Sequence, residues 1–214
     1  MRALAAATIL LLASCTGPAP AAAGADNVPA EAYRWQGYQT RISRQELGPN
    51  APVPLLAAQV HQESRWRHGA ESPVGARGLA QFMPGTAEHV EQLSGGLSRG
   101  DVLSSPRANL RAQAVYMAWL RDRADVRRPA TPPDRWAWVL SGYNGGMGWL
   151  DKERHGDGDP RRWYCDTYRA NARSKAAWRE NRHYVRTIKS GQSRYQQAGW
   201  RGPTVAKGGD CGNR

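Results

Sequence analysis

The chain has 214 residues, room for one globular domain with a real core plus tails. Its 30 Lys+Arg against 18 Asp+Glu give a formal charge of +12. That balance argues for an acidic partner, whether nucleic acid, anionic lipid or an anionic cell-wall polymer, and does not choose among them.

The first fifteen residues, MRALAAATILLLASC, carry one Arg and then an apolar run from Ala3 to Ala13. That run is too short to span a bilayer as a mature helix and fits the apolar region of a secretory signal. Leu12-Ala13-Ser14-Cys15 resembles a bacterial lipobox, in which cleavage before Cys15 leaves that cysteine lipid-modified. Residues 1–14 are therefore read as a signal peptide, with a plain signal and a chance cysteine as the alternative. Either reading exports the protein, which argues against nucleic acid, and no nucleic-acid recognition motif is present. From Thr16 to about Ala30 the chain is mostly Ala, Pro and Gly, so residues 15–33 read as a flexible, lipidated tether. Residues 34–200 read as the folded domain and 201–214 as a tail.

Within the domain, a helix is expected from Trp35 to Leu47, stopped by Gly48-Pro49. Pro54 suits the first turn of the next one, PVPLLAAQVHQESRW. Leu56, Val60 and Glu63 share one face of that helix. Glu63 thus lies on the side that packs inward, where burial disfavours its charged form. Glu71 follows Gly69 in a loop-like stretch and has no such placement. Ser105-Pro106 opens a third helix carrying Leu110, Ala114 and Met117 on one side. Asp134 caps a fourth that carries Trp138 and ends near Gly142, and a last helix runs from about Ala172 to Ile188. No sustained period-2 alternation and no βαβ rhythm occur, so the fold class is mostly α.

Two cysteines remain after the anchor, Cys165 and Cys211. In an exported protein this even remainder suggests one disulfide tying the tail to the domain, with two free thiols as the alternative. Neither a CxxC pair nor a His cluster accompanies them, so no metal or other cofactor is expected. Residues 161–201 hold 11 Lys+Arg and two acids, Asp166 and Glu180. They form either a solvated face or a surface attracted to an anionic wall.

The stretch from His61 to Ala87 carries the chemistry. Glu63-Ser64, then Ser72, then Gly75-Ala76-Arg77-Gly78-Leu79-Ala80-Gln81-Phe82-Met83-Pro84-Gly85-Thr86-Ala87 resemble the catalytic core of the lytic transglycosylases of the SLT type. Downstream, SPRANLRAQAVYMAWL, SGYNGG and ENRHYVRTI resemble further elements of that family in the same order, so the likeness runs from about Tyr38 to Ile188. Ala80 stands where the family usually has Met, and Gly142 where it usually has Ala. Both neighbour the polar residues expected to act and bear on the sugar cleft, not on the chemistry.

The resemblance implies a lysozyme-like domain that cleaves the β-1,4 bond between N-acetylmuramic acid and N-acetylglucosamine in peptidoglycan. Breaking such a bond near neutral pH needs a protonated acid beside the leaving oxygen, which an inward-facing Glu63 supplies. Many glycosidases add a second carboxylate. Glu71, Asp101, Asp134 and Asp151 have no placement that would make any of them that partner. By resemblance one carboxyl suffices. Glu63 protonates the leaving oxygen, then takes the proton of the sugar's own C6 hydroxyl, and an anhydro-muramic end forms. Tyr184 then holds the Glu63 carboxyl, Gln81, Met83, Tyr143 and Asn144 bind the sugars, and Ser64 and Ser72 shape the cleft. Gly75 and Gly78 let the backbone approach the glycan. Alternatives of the same fold are a hydrolytic, goose-type lysozyme-like enzyme and a non-catalytic wall-binding lipoprotein. Expected partners are glycan strands, a membrane reached through the lipid anchor, and a cell-envelope machine. Thr16 after Cys15 favours the periplasmic face of an outer membrane, with a soluble periplasmic or secreted protein as the alternative.

Overall fold

The computed structural model describes residues 28–126, 128–129, 131–154, 159–170, 172–206 and 208. Signal peptide, Cys15 and Cys211 lie outside the described residues; Cys165 is disulfide-bonded. The described residues form eight α-helices and one short 3-10 turn, without a named strand. No helix among them is long and apolar enough to cross a membrane.

Helix α1 (Ala30–Leu47) starts before the expected Trp35. Its extra turn is held by Glu31, which pairs with Arg34 at 3.1 Å and accepts from the Trp35 indole at 3.3 Å. Ala32 is fully buried there. Alanine-rich sequence suits a helix as well as a tether, and packing decides. Helix α2 (Val53–Ser64) is buried without a break from Val53 to Val60, so it forms the centre of the domain. Two short helices, α3 (Pro84–Ser94) and α4 (Arg99–Ser104), follow a long loop and pack on α5 (Pro106–Val126). Leu110, Ala114 and Met117 of α5 are fully buried, as their spacing predicts.

Helix α6 (Pro132–Gly145) is capped by Thr131, not by Asp134. The Thr131 hydroxyl accepts from the Asp134 amide at 3.2 Å and donates to the Asp134 carboxylate at 2.6 Å, a variant of the capping box. Asp134 therefore sits one turn inside the cap. Helix α7 (Met147–Arg154) leads to the turn at Thr167–Arg169 and then to α8 (Lys175–Gln197). That last helix runs nine residues past the expected Ile188. Its inner stripe continues through Lys189, Gln192 and Tyr195, which are buried polar or amphipathic residues and so escape a reading based on apolar spacing. Gly191 brings α8 against α2, where an added Cβ would meet Ala58 at 3.7 Å. Beyond α8, Trp200 is fully buried against Trp66 and Tyr195, and Val205 is buried with its backbone bonded to the Gln192 amide.

The basic stretch is not simply a solvated face. Arg173 and Arg182 are buried and converge on Glu153 at 2.8 and 3.0 Å. Arg182 also donates to the carbonyl oxygens of Thr167, Tyr168 and Ala170. A buried charge is tolerated only when paired and hydrogen-bonded in this way, and here the pairing joins α7, the 3-10 turn and α8.

Gly78 performs a packing role, in contrast to its expected role beside the glycan. It is buried with φ +82°, and a Cβ there would lie 2.5 Å from the Asn109 side chain. Asn109 accepts from the Ala80 amide at 2.7 Å and donates to the carbonyl oxygens of Arg77 and Val102 at 3.1 and 2.8 Å. Gly78→Ala should therefore displace Asn109 as well as strain the backbone, lowering stability by about 2–4 kcal/mol in denaturant unfolding. An unchanged unfolding midpoint would refute this account of the glycine.

Candidate active site

The C-terminal end of α2 delivers Glu63 to a cleft of about 290 Å³. Leu56 and Val60 anchor its face of the helix in the core, and the carboxyl is the first polar group to emerge from it. Immediately afterwards the chain reverses. Arg65 and Trp66 both have positive φ, at 52° and 65°, an uncommon pair of left-handed residues that are not glycine. The reversal turns Trp66 into the core, where its indole donates to the Tyr195 hydroxyl at 2.7 Å, and ends the helix at the cleft.

Glu63 is half-buried and receives the Tyr184 hydroxyl from α8 at 2.5 Å. Burial pushes its pKa up to about 8; the Tyr184 hydrogen bond opposes that rise and the nearby Glu180 adds to it. The direction agrees with the negative end of the α2 dipole at this position. Near neutral pH the group is mostly a neutral acid, able to donate a proton. Burial, followed by the charge of Glu63, also raises the Tyr184 hydroxyl well above the ordinary tyrosine range, so it remains a donor.

Most of the expected site residues meet here. Ser72, Gln81, Met83, Tyr143, Asn144 and Tyr184 all line the cleft. Gln81 has φ 50° and commits its amide nitrogen to the Ala70 and Gly78 carbonyl oxygens at 3.0 and 2.9 Å, which turns its acceptor oxygen to other partners. The Tyr143 hydroxyl donates to the Ala80 carbonyl at 2.8 Å, so its ring, rather than its hydroxyl, is what the cleft wall offers. Asn144 is held by Asn181 at 2.8 Å, and Asn181 in turn bonds Ser141 at 2.6 and 2.9 Å. Ser72 accepts from the Ala76 amide at 2.9 Å and shapes its turn.

Ser64 stands apart. It is buried, its hydroxyl donates to the Leu79 carbonyl at 2.8 Å, and it does not line the cleft. It ties the end of α2 to the loop that carries Gln81. Glu71 is exposed and paired with Arg77 at 3.0 Å, outside the cleft lining.

Sequence reasoning missed Glu180, which lines the cleft and approaches the Asn144 amide at 3.5 Å. Its signal was the spacing: Glu180 and Tyr184 are four residues apart on α8 and share a face. Tyr116 and His183 were also missed. Tyr116 stacks on Trp119 at 5.5 Å and meets Tyr143 at 5.4 Å, extending an aromatic wall. Among the described residues no group of three or more His, Cys, Asp or Glu is placed to hold a metal ion.

Comparison with known proteins follows the same residues. The transglycosylase SLT domain matches residues 41–165. The membrane-bound lytic murein transglycosylase F of Thiobacillus denitrificans is 32% identical over 148 residues, covering 67% of this chain and 28% of that protein. The soluble lytic murein transglycosylase of Escherichia coli is 34% identical over 85 residues, covering 39% of this chain and 13% of that protein. The chain thus spans under a third of the curated relatives' length. An inactive Glu-to-Gln mutant of the lytic transglycosylase Slt from Pseudomonas aeruginosa shares the fold, with a TM-score of 0.54 at 22% identity over 80% of this chain and 25% of that one. With its family match spanning more than half of the chain, the protein belongs to the SLT transglycosylase family.

Proposed function

We propose that the protein is a peptidoglycan lytic transglycosylase in which Glu63 is the single acid and base. The observation that carries this reading is the placement of the Glu63 carboxyl in the cleft, where the core meets water, under the Tyr184 hydroxyl at 2.5 Å; burial there raises its pKa. Glu63 gives its proton to the glycosidic oxygen as the bond from C1 of the muramic sugar to that oxygen breaks. The sugar's N-acetyl group steadies the positive centre. The carboxylate then takes the proton of the C6 hydroxyl as O6 bonds to C1. An anhydro ring forms, Glu63 is protonated again, and no water is consumed. Tyr184 stabilises the carboxylate between the two steps. Gln81, Met83, Tyr143 and Asn144 bind the sugars, and Ser64 and Ser72 hold the cleft in shape. The inactive Glu-to-Gln mutant of the Pseudomonas aeruginosa relative supports a catalytic carboxyl of this kind.

Glu180 favours a second reading. A carboxylate across the cleft could activate water and make the enzyme a hydrolase. Anhydro ends among the products support the first reading and reducing ends the second.

The relatives' names include both membrane-bound and soluble enzymes. We place this protein outside the cytoplasm, on the periplasmic face of an outer membrane, anchored through Cys15. Glycan strands are its substrate, and a cell-envelope machine is a further partner. The pairing of Cys165 with Cys211 belongs to the same proposal, since the chain's other cysteine is the anchor.

Three results are expected. Glu63→Gln should reduce release of anhydro-muropeptides by about 10⁴-fold or more, since one residue performs both proton transfers, each typically worth about 10²–10⁴-fold. Glu71→Gln should change it little, and near-normal release by folded Glu63→Gln would sink the assignment. The first step needs protonated Glu63, so kcat should be level below pH 8 and fall as pH rises through about 8. A fall centred near the ordinary carboxyl range, about 4 to 5, would contradict the burial of the acid. Finally, Cys15→Ala should release the protein from membranes on fractionation; retention equal to the parent would exclude the lipid anchor.

A further inference from the structure

Behind Glu63, on the side away from the cleft, a line of hydrogen bonds crosses the core. The Trp200 indole donates to Gln39 at 3.2 Å, and the Gln39 amide donates to Gln113 at 3.3 Å. The Gln113 amide donates to Gln59 at 2.8 Å and to the Leu56 carbonyl at 3.0 Å. The Gln59 amide donates to the Tyr184 hydroxyl at 3.1 Å, and Tyr184 donates to Glu63 Oε1 at 2.5 Å. The three glutamines and Trp200 are each fully buried.

The direction of this line cannot reverse. An indole N–H only donates, so Gln39 must face it with oxygen and face Gln113 with nitrogen. The Leu56 carbonyl only accepts, so Gln113 must turn its nitrogen to that side, where Gln59 receives the second hydrogen. Gln59 is then left with its nitrogen toward Tyr184. With this N–H on its oxygen, the Tyr184 hydroxyl gives its own proton to Glu63 Oε1. When Glu63 is the neutral acid, Oε1 accepts this proton best as the carbonyl oxygen, which leaves the acid's own proton on Oε2.

We infer that the buried chain from Trp200 through Gln39, Gln113 and Gln59 makes Oε2 the single oxygen through which Glu63 gives and regains its proton, with Gln59 as a positioning residue acting through Tyr184. The inference rests on the proposed acid–base role of Glu63. It adds that proton placement is set from the core, by residues that touch no substrate. The Gln59 donor also polarises Tyr184 and strengthens its bond to the developing carboxylate.

The test is the pH–rate profile of anhydro-muropeptide release by the full chain. Glu180, His183 and Tyr184 of α8, Tyr143 of α6 and Tyr116 of α5 share the cleft with Glu63, and only Tyr184 is altered in these variants. Gln59→Met removes the donor while keeping an unbranched side chain. It should lower kcat about tenfold at unchanged KM, and move the alkaline limb upward by about half a pH unit, because the carboxylate loses support. Tyr184→Phe should move the limb the same way, and adding Gln59→Met to it should move nothing further. A purely structural glutamine would lower Tm without shifting the limb. A folded Gln59→Met with the parent's limb and kcat, or an additive double variant, overturns the inference while leaving the Glu63→Gln result intact. Should Gln59→Met not fold, the unaltered protein decides by NMR. The Tyr184 hydroxyl proton should resonate downfield and cross-relax with the Gln59 amide protons on both sides of the Glu63 titration, and its absence from that position refutes the chain.

Discussion

A short hydrogen bond between Tyr184 and Glu63 joins the central helix to the last one, and both the acid and the wall of its cleft depend on that joint. Helix α2 supplies a carboxyl at the point where the core meets water. Helix α8 must then pass at one depth and one rotation for its hydroxyl to reach Oε1. The close approach at Gly191 and Ala58 sets the depth. The Arg182–Glu153–Arg173 cluster holds the other end of α8. Asn181, one turn before Tyr184, carries the same alignment directly to Asn144 and is itself held by Ser141. A shift of α8 by a fraction of an ångström would thus alter the Glu63–Tyr184 bond and the placement of Asn144 together.

Much of the core around this joint is polar, which is unusual for the centre of a domain this size. Gln39, Gln59, Gln113, Asn181, Arg182 and Gln192 are all buried. Each would be costly alone, since an unpartnered buried amide forfeits about 1–3 kcal/mol. In the fold they are satisfied by one another and by backbone carbonyls, and satisfied networks favour one arrangement over near neighbours more sharply than apolar packing does. The proposed single-carboxyl mechanism, which needs Glu63 held in register, would gain from that sharpness.

The sequence singled out Glu63 because two signals agreed on it. Glu63 occupied an apolar helix face, and it sat in a motif whose spacing matched a family. Where only one signal existed, the reading thinned. Asp134 looked like a cap because it is a good capping residue, yet Thr131 lay one turn earlier and took the position. The last helix was expected to stop at Ile188, since Lys189, Gln192 and Gly191 face inward for reasons of hydrogen bonding and close packing that no hydropathy pattern encodes. The buried glutamines were invisible for a similar reason. Their significance lies in what stands opposite them, and pairings between residues 125 positions apart, such as Gln59 with Tyr184, appear only once the chain is folded.

The fit of Gly78 to Asn109 restricts how a lineage can vary this loop. A side chain gained at 78 collides with Asn109, and an asparagine lost at 109 abandons the Ala80 amide and two carbonyl oxygens. Each single step is harmful, although a matched pair of changes could restore the contact. The two positions are separated by a valley that drift crosses rarely, so they should be inherited as one character, with the loop bearing Gln81 carried along between them.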